Sequence, residues 1–172
     1  MNPLYLRIIF SILSFLPFLS HSQNAEIDTL LARSERLLAP NSDSSLKLAF
    51  HAAELSQEKN SDSYLSISFS AIADFYSYFD DYDKTIIYYE KALDAAAQLP
   101  DDKEKAKLFH KLGKTYYNKG NYDKCVEYLN EAKKLASKLN DDEVKYLVYS
   151  SMGSVYSNMT IGDNRDSSKK YY

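Results

Sequence analysis

The stretch "DFYSYFDDYDKTIIYYEKAL", residues 74–93, contains five tyrosines and two phenylalanines among twenty residues. Forty residues later, residues 114–133 read "KTYYNKGNYDKCVEYLNEAK", with tyrosines at three of the same positions. Self-similarity at a fixed interval of roughly 20–50 residues is typical of repeat architectures. The interval therefore predicts a chain built from copies of one structural unit.

The repeat runs through three copies. The first segment of each copy has a large aromatic residue, a small residue four positions later and a tyrosine three positions after that. These sets are Phe69, Ala73 and Tyr76, then Phe109, Gly113 and Tyr116, then Tyr149, Gly153 and Tyr156. The second segment maps Tyr82, Thr85, Tyr89 and Ala92 onto Tyr122, Cys125, Leu129 and Ala132. Spacings of three, four and seven residues indicate amphipathic helices.

Each copy is expected to form two antiparallel helices. Asp80-Asp81 and Gly120-Asn121 interrupt the periodic pattern and predict tight turns. We expect helix pairs at 26–38 and 43–57, 62–79 and 83–97, and 102–118 and 122–138, followed by a helix at 142–159 and a longer turn after Tyr156. Neither helix of a pair can bury its apolar stripe alone, so the pairs are expected to stack into an all-α, right-handed solenoid with contacts between neighbours only.

The small and the aromatic residues are interpreted as packing residues. Ala73, Gly113 and Gly153 are expected to let the two helices of a pair approach closely. Phe69, Tyr76, Tyr82 and Tyr89 would fill the space around that contact, since a tyrosine ring packs while its hydroxyl reaches a polar edge. A ligand-stacking surface is the alternative for this aromatic stripe. Cys125 is expected to be a buried small residue rather than a reactive thiol.

These motifs resemble the tetratricopeptide repeat. That family has a large aromatic residue, then Leu-Gly and Tyr in its first helix, and alanines around an aromatic residue in its second. The resemblance covers most of the chain after the N-terminal segment and is closest over 65–97 and 105–139. The forty-residue period exceeds the family's usual thirty-four, with the extra residues around "AAAQLPDD" and "LASKLNDD". The resemblance implies a right-handed superhelix and a role in binding other proteins.

Composition excludes several classes of protein. A hydrophobic content of 45% fits a folded domain, and a net charge of −3 gives no basic face for nucleic acid. Cys125 is the only cysteine, so no internal disulfide forms. The sequence has no glycine-rich phosphate loop, no GxSxG and no HExxH, so we expect no enzyme activity, no cofactor and no metal.

Two features invite a sharper chemical interpretation. The pairs Asp101-Asp102 and Asp141-Asp142 stand where helices must start, which favours helix capping over a metal site. His51 and His110, the histidines that follow the N-terminal segment, are interpreted as solvated helix residues rather than ligands or bases.

The N-terminal segment has its own character. Arg7 precedes a twelve-residue apolar run, Ile8 to Leu19, which ends at Ser20-His21-Ser22. This layout is typical of a secretory signal peptide, and the run is shorter than the roughly 20 residues of a membrane-spanning helix. We expect cleavage near Ser22, with an uncleaved membrane anchor as the alternative.

The predicted organisation has five parts. They are a signal peptide at 1–22, an imperfect capping helix pair at 23–60, repeat units at 61–100 and 101–140, and an incomplete unit at 141–172. Because "SSKKYY" at 167–172 matches only the beginning of a second helix, we expect that further sequence follows. We also expect an open apolar end there, through which copies can self-associate.

The family resemblance implies a concave binding face lined by the first helix of each pair. On this chain the face would hold Asp74, Tyr78, Lys107, His110, Lys114, Tyr117, Asn118, Ser154 and Asn158. Lys107, His110, Lys111 and Lys114 follow helical spacing and suit a carboxylate, although Asp74 and Ser154 depart from the Asn and Lys of the family's carboxylate clamp. A solvated helix face is the alternative.

The expected function is non-catalytic binding of a protein or peptide outside the cytoplasm. A signal peptide before forty-residue repeats also resembles the sensing part of membrane-anchored bacterial regulators, in which a membrane helix and an output domain follow. Alternatives are a self-contained scaffold for envelope assembly or secretion, and the recruiting region of a larger enzyme such as a sensor histidine kinase. Contact with a membrane is expected only through the signal peptide or a downstream anchor, and no nucleic acid is expected.

Overall fold

The computed structural model describes residues 24–39 and 41–169, with side chains as far as Asn158. Over these residues the chain forms seven helices and no strand. They are α1 at 24–37, α2 (Ser42–Glu58), α3 (Asp62–Tyr78), α4 (Tyr82–Ala96), α5 (Asp102–Asn118), α6 (Tyr122–Ala136) and α7 (Asp142–Lys169). The predicted bounds of α1 to α6 agree with these to within two residues. The predicted signal peptide lies outside the described residues.

Acidic and amide side chains start the helices, as the sequence predicts. The side chains of Asp101 and Asp141 accept hydrogen bonds from the backbone amides of Glu104 and Val144, both at 3.0 Å. Asp81 and Asn121 accept in the same way at the starts of α4 and α6. Each side chain satisfies an amide that has no partner within its helix. At α2 the capping residue is Asn41, whose side chain accepts a hydrogen bond from the backbone amide of Ser44.

The turns inside the helix pairs use left-handed backbone. Asp80 has φ of 57° and Gly120 has φ of 80° at equivalent positions, between α3 and α4 and between α5 and α6. Glycine adopts this conformation without steric cost, and Asp tolerates it better than most residues. These positions fix where each chain reversal occurs, and so which helix faces pack together.

The helix pair of α5 and α6 is built around Gly113. A Cβ atom at Gly113 would lie 2.8 Å from Leu129 Cγ and 3.3 Å from the carbonyl oxygen of Cys125. Ala73 occupies the same position in α3 and is fully buried. Cys125 is also fully buried, and burial raises the pKa of its thiol, as expected for a packing residue. The predicted close approach is confirmed in both pairs.

The aromatic residues of α3 and α5 pack in the same way against their partner helices. Tyr76 stacks on Tyr88 with ring centroids 5.6 Å apart, and Tyr116 stacks on Tyr128 at 5.3 Å. The edge of each cluster is closed by Phe69 and Phe109, which contact the same partner tyrosines at 6.3 and 6.2 Å. The packing interpretation of the stripe is therefore confirmed for these two copies. Tyr122, the counterpart of Tyr82, differs from these packed aromatic residues because its side chain is half exposed.

The third copy does not follow the first two. The backbone of α7 remains helical to Lys169, so the turn expected after Tyr156 is wrong. A single glycine, Gly162, costs a helix only about 1 kcal/mol and does not end it. No atom of the described residues lies within 4 Å of the position that a Gly153 Cβ would occupy, and Tyr149 and Tyr156 are exposed. The close approach expected at Gly153 is thus absent, because no second helix covers this face within the described residues.

The first two helices, α1 and α2, pack against each other at the other end of the described stack. Ile27 of α1 and Ala52 of α2 are fully buried in one apolar cluster. Ser34 and Ser45 join the two helices, each hydroxyl donating to the other residue's carbonyl oxygen at 2.9 and 2.8 Å. Across the described residues, no helix has the length and apolar character that a membrane crossing demands.

Candidate binding groove

The first helices of successive pairs line a continuous groove. A cavity of about 760 Å³, the first cavity, lies along α1, α3 and α5. A second of about 310 Å³, the middle cavity, lies along α3, α5 and the start of α7. A third of about 240 Å³, the end cavity, lies between α5 and α7. Neighbouring cavities share lining residues: Asp74, Lys107 and Lys111 for the first pair, Lys114 and Asn118 for the second.

Most residues predicted for the concave face line this groove. The middle or end cavity is lined by Asp74, Lys107, His110, Lys114, Tyr117, Asn118, Ser154 and Asn158. Tyr78 lies outside the three cavities. It is 55% exposed at the end of α3, with its ring 5.1 Å from that of Phe79. Tyr78 therefore lies apart from the other eight residues. A role in binding stays a prediction for all nine.

Asp74 is held by contacts within the chain. Lys111 Nζ donates to both carboxylate oxygens of Asp74, at 3.0 and 2.8 Å, and to Ser70 Oγ at 3.1 Å. The hydroxyl of Tyr89 donates to the same carboxylate, and burial together with Asp74 raises the pKa of Tyr89. Asp74 therefore cancels the charge of Lys111 instead of offering a free carboxylate to a ligand.

Sequence reasoning missed this ion pair, although it considered both residues. Asp74 and Lys111 are 37 positions apart, close to one period of the repeat, so they lie on facing parts of α3 and α5. Opposite charges on adjacent first helices at nearly one period are the signal that could have identified the pair.

His110 is not the solvated residue that the sequence predicts. Its side chain is buried between α5 and α7, and its Nε2 shares a hydrogen bond with Ser151 Oγ at 2.8 Å. Burial, and then the positive charges of Lys114 and Lys111, lower the pKa of His110 to about 4. At neutral pH it is therefore an uncharged part of the groove wall, since α7 covers a position that periodicity alone leaves open.

Lys107 and Lys114 supply the positive charge of the groove. Within the described residues, neither ammonium group has a carboxylate within 4 Å, whereas Lys111 between them is paired. Both lysines line the middle cavity. The opposite end of the groove is acidic, because Asp28 and Glu35 line the first cavity. The arrangement can hold an anionic group beside Lys107 and Lys114.

The end cavity differs from the middle cavity in its floor. Leu129 and Val155 form an apolar base, and the serines of α7 form part of the rim. Asn158 Nδ2 donates to the Tyr117 hydroxyl at 2.6 Å and connects α7 to α5 beside the cavity.

Among the described residues, no group of three or more His, Cys, Asp or Glu side chains is placed to hold a metal ion.

Comparisons with known proteins agree with this architecture. Residues 64–138 match the tetratricopeptide repeat family model. The fold is similar to the crystal structure of the TPR domain of Arabidopsis FLU, with 13% identity, a TM-score of 0.61, and coverage of 68% of this chain and 99% of that one. It is also similar to BtubC (BKLC) from P. vanneervenii, with 17% identity, a TM-score of 0.53, and coverage of 81% of this chain and 66% of that one. A search of curated proteins found no significant match. Residues 64–138 are thus similar to tetratricopeptide repeats, and the described residues fold as an all-α solenoid.

Proposed function

We propose that this chain, whose residues 64–138 match the tetratricopeptide repeat model, is a non-catalytic scaffold that binds a protein or peptide segment in its groove. The observation that carries the proposal is the pair Lys107 and Lys114. Both face the middle cavity without an acidic partner among the described residues, while Asp74 neutralises the lysine between them. Ammonium groups that line a concave surface favour a ligand with a carboxylate.

The partner is therefore expected to present an acidic or C-terminal segment in an extended or helical form. The three adjoining cavities offer room for several consecutive residues rather than for one small molecule. The acidic first cavity and the basic middle cavity would also fix the direction in which a segment with charges of both signs binds.

A charge-reversal experiment tests this proposal. The probe is an immobilised array of short peptides that contain Asp, Glu or a free C-terminus. The double variant Lys107→Glu with Lys114→Glu is expected to lose binding to every peptide that the unchanged chain retains. The control is Lys133→Glu with Lys138→Glu, which makes the same change of charge on exposed residues of α6 and of the turn that follows it. Undiminished binding by the groove variant would refute the site.

In this proposal the scaffold is exported and forms the sensing part of a longer, membrane-anchored bacterial regulator. The support is the sequence pattern of the first 22 residues, a cation followed by a short apolar run and small residues. Expression in a bacterial host, followed by mass spectrometry of the N-terminus, tests the export. A new N-terminus near Ser22 in an extracytoplasmic fraction is expected. A membrane-bound chain that keeps Met1 would favour the anchor, and an intact chain in the cytoplasm would contradict export.

The alternatives are a self-contained envelope scaffold and the recruiting region of a larger enzyme such as a sensor histidine kinase. The downstream gene sequence separates them. About twenty consecutive apolar residues followed by an output domain favour the regulator, closing repeats favour the scaffold, and a catalytic domain favours the enzyme.

Self-association is a further part of the proposal. Tyr146 is 76% exposed on α7, and Tyr149 is exposed one helical turn away. Exposed aromatic side chains of this kind are common at protein interfaces. Sedimentation velocity at rising concentration is expected to show dimers that Tyr146→Ser with Tyr149→Ser abolishes. A monomer at all concentrations would contradict this.

A further inference from the structure

The middle and end cavities occupy equivalent places in the repeat. Adding forty to the residues of the middle cavity gives eight of the nine residues that line the end cavity. Among them, Asp74, Tyr89, Lys111 and Thr115 become Lys114, Leu129, Ser151 and Val155. The contacts between first helices repeat as well. Lys111 donates to Ser70 across α3 and α5, and Ser151 bonds His110 across α5 and α7, each over 41 positions. The two cavities are therefore two copies of one site with different side chains.

The middle copy is polar because the chain supplies charges to it. The Tyr89 hydroxyl, the Asp74 carboxylate and the Lys111 ammonium group form one connected network, and Lys111 also lies 5.5 Å from the centre of the Tyr89 ring. Thr115 adds a hydroxyl to the same lining. Such a surface keeps its water and favours polar groups.

The end copy has lost these charges. Leu129 replaces Tyr89 and Val155 replaces Thr115, so two apolar side chains form the floor of the end cavity. Leu129 is 2% exposed and Val155 is 6% exposed, which makes the floor part of the apolar core. Lys114 stands where the middle copy has Asp74, so the acidic group is missing and a cation lines the wall that both cavities share.

We propose that the end cavity binds one apolar side chain of the partner segment, and that a carboxylate next to that side chain pairs with Lys114. This inference rests on the proposed function and adds the ligand's chemistry to it. The apolar floor lowers the free energy of a buried aliphatic or aromatic group. Among the described residues, no carboxylate lies within 4 Å of the Lys114 ammonium group, so an acid that pairs with it would come from the ligand. The carboxylate is either that of an Asp or Glu side chain or that of a C-terminus.

A small set of peptide probes separates these features. The probes are four fluorescein-labelled hexapeptides. The first ends in phenylalanine with a free C-terminus, and the second ends in aspartate and phenylalanine with an amidated C-terminus. The other two are versions of these in which serine replaces phenylalanine. Replacing phenylalanine is expected to weaken binding at least ten-fold in fluorescence anisotropy. The amidated and free peptides distinguish the two sources of the carboxylate. On binding, the NMR signals of the Leu129 and Val155 methyl groups are expected to shift.

A blocking variant completes the test. Ser154→Trp places a large ring on an exposed position that lines the end cavity. It is expected to weaken the binding of the phenylalanine peptides at least ten-fold. Ser157→Trp makes the same change on an exposed position of α7 outside the three cavities, and is expected to leave binding unchanged.

The outcomes are distinct. Equal binding of phenylalanine and serine peptides, unshifted Leu129 and Val155 methyl signals, or full binding by the Ser154 variant would overturn the assignment of the end cavity and leave the proposed groove intact. No binding of any acidic peptide, on this set or on the array, would overturn the proposed function and this inference together.

Discussion

Two helices of this chain carry the same pattern and have different surroundings. In α5 the face that includes Phe109 and Gly113 is covered by α6, with Leu129 directly over the glycine. In α7 the equivalent face, with Tyr149 and Gly153, is covered by no other described residue. A repeat pattern thus specifies which face is prepared for packing. It does not specify that a partner lies there, because burial in a solenoid comes from the next element.

The largest expected effect tests the covered glycine. Gly113→Val adds a branched side chain where even a Cβ would lie 2.8 Å from Leu129 Cγ, and the buried Leu129 side chain has little room to move away. We expect the free energy of unfolding to fall by about 3 kcal/mol, at the upper end of the range for overpacking. Urea unfolding followed by circular dichroism measures it.

The same substitution in α7 is the control. Gly153→Val meets open space, so we expect its free energy of unfolding to lie within about 0.5 kcal/mol of the unchanged chain. Equal losses at the two glycines would mean that the α7 face is covered in solution, and would remove the contrast between the helices.

Local patterns were sufficient for the fold. The turns at Asp80 and Gly120 and the caps at Asp101 and Asp141 act through neighbouring backbone, so periodicity and turn chemistry predict α1 to α6 to within two residues. The continuation of α7 beyond Tyr156 was not predicted, because it depends on whether a second helix packs back on it.

The groove was predictable in part. The spacing of first-helix residues finds most of the lining, since equivalent faces of stacked helices meet. It does not find the pairing of Asp74 with Lys111 or the burial of His110, because both depend on a neighbouring helix that contributes one particular side chain.

The aromatic residues of the two faces provide the next test. Phe109 packs against Tyr128 and is more buried than Tyr149, and we expect Phe109→Ala to cost about 2 kcal/mol, below the value for a fully buried phenylalanine because the ring is only partly buried. Tyr149→Ala is expected to cost about 0.5 kcal/mol, since the Tyr149 side chain is 43% exposed. Chemical denaturation of the two variants measures the difference. A cost at Tyr149 as large as that at Phe109 would contradict an open face.

A third prediction concerns the face of α7 that is covered, where His110 meets Ser151. The folded-state pKa of His110 is about 4, below its ordinary value of 6.5, so the unfolded chain binds a proton between these values and the folded chain does not. The free energy of unfolding therefore falls as the pH drops from about 6.5 towards 4. At pH 5 it is about 2 kcal/mol below its value at neutral pH. Lys111 and Lys114 from α5 oppose protonation, and Ser151 from α7 is neutral.

His110→Gln is the matched variant, because its side-chain amide can still bond Ser151 and does not titrate. The urea midpoint of the unchanged chain is expected to fall more steeply between pH 7 and pH 5 than that of the variant. Parallel pH curves for the two proteins would show that α7 does not bury His110 in solution.

The smallest effect is the most discriminating, because one substitution is expected to change stability in opposite directions. Alanine in an exposed helix interior is better than glycine by about 0.5–1 kcal/mol, so Gly153→Ala, with open space at its Cβ, is expected to stabilise the chain by about that amount. Gly113→Ala has the same helix propensity gain, but its Cβ would lie 2.8 Å from Leu129 Cγ, so a net loss is expected. Ala73 shows that a Cβ is tolerated at the equivalent position of α3, where the facing residue is Tyr89. Leu129→Ala removes the contact with the Cβ at position 113. The double variant Gly113→Ala with Leu129→Ala should therefore lose less free energy of unfolding than the sum of the two single variants. Additive costs in that cycle would mean that Leu129 does not lie over the glycine, and that the covered and open helices differ for another reason.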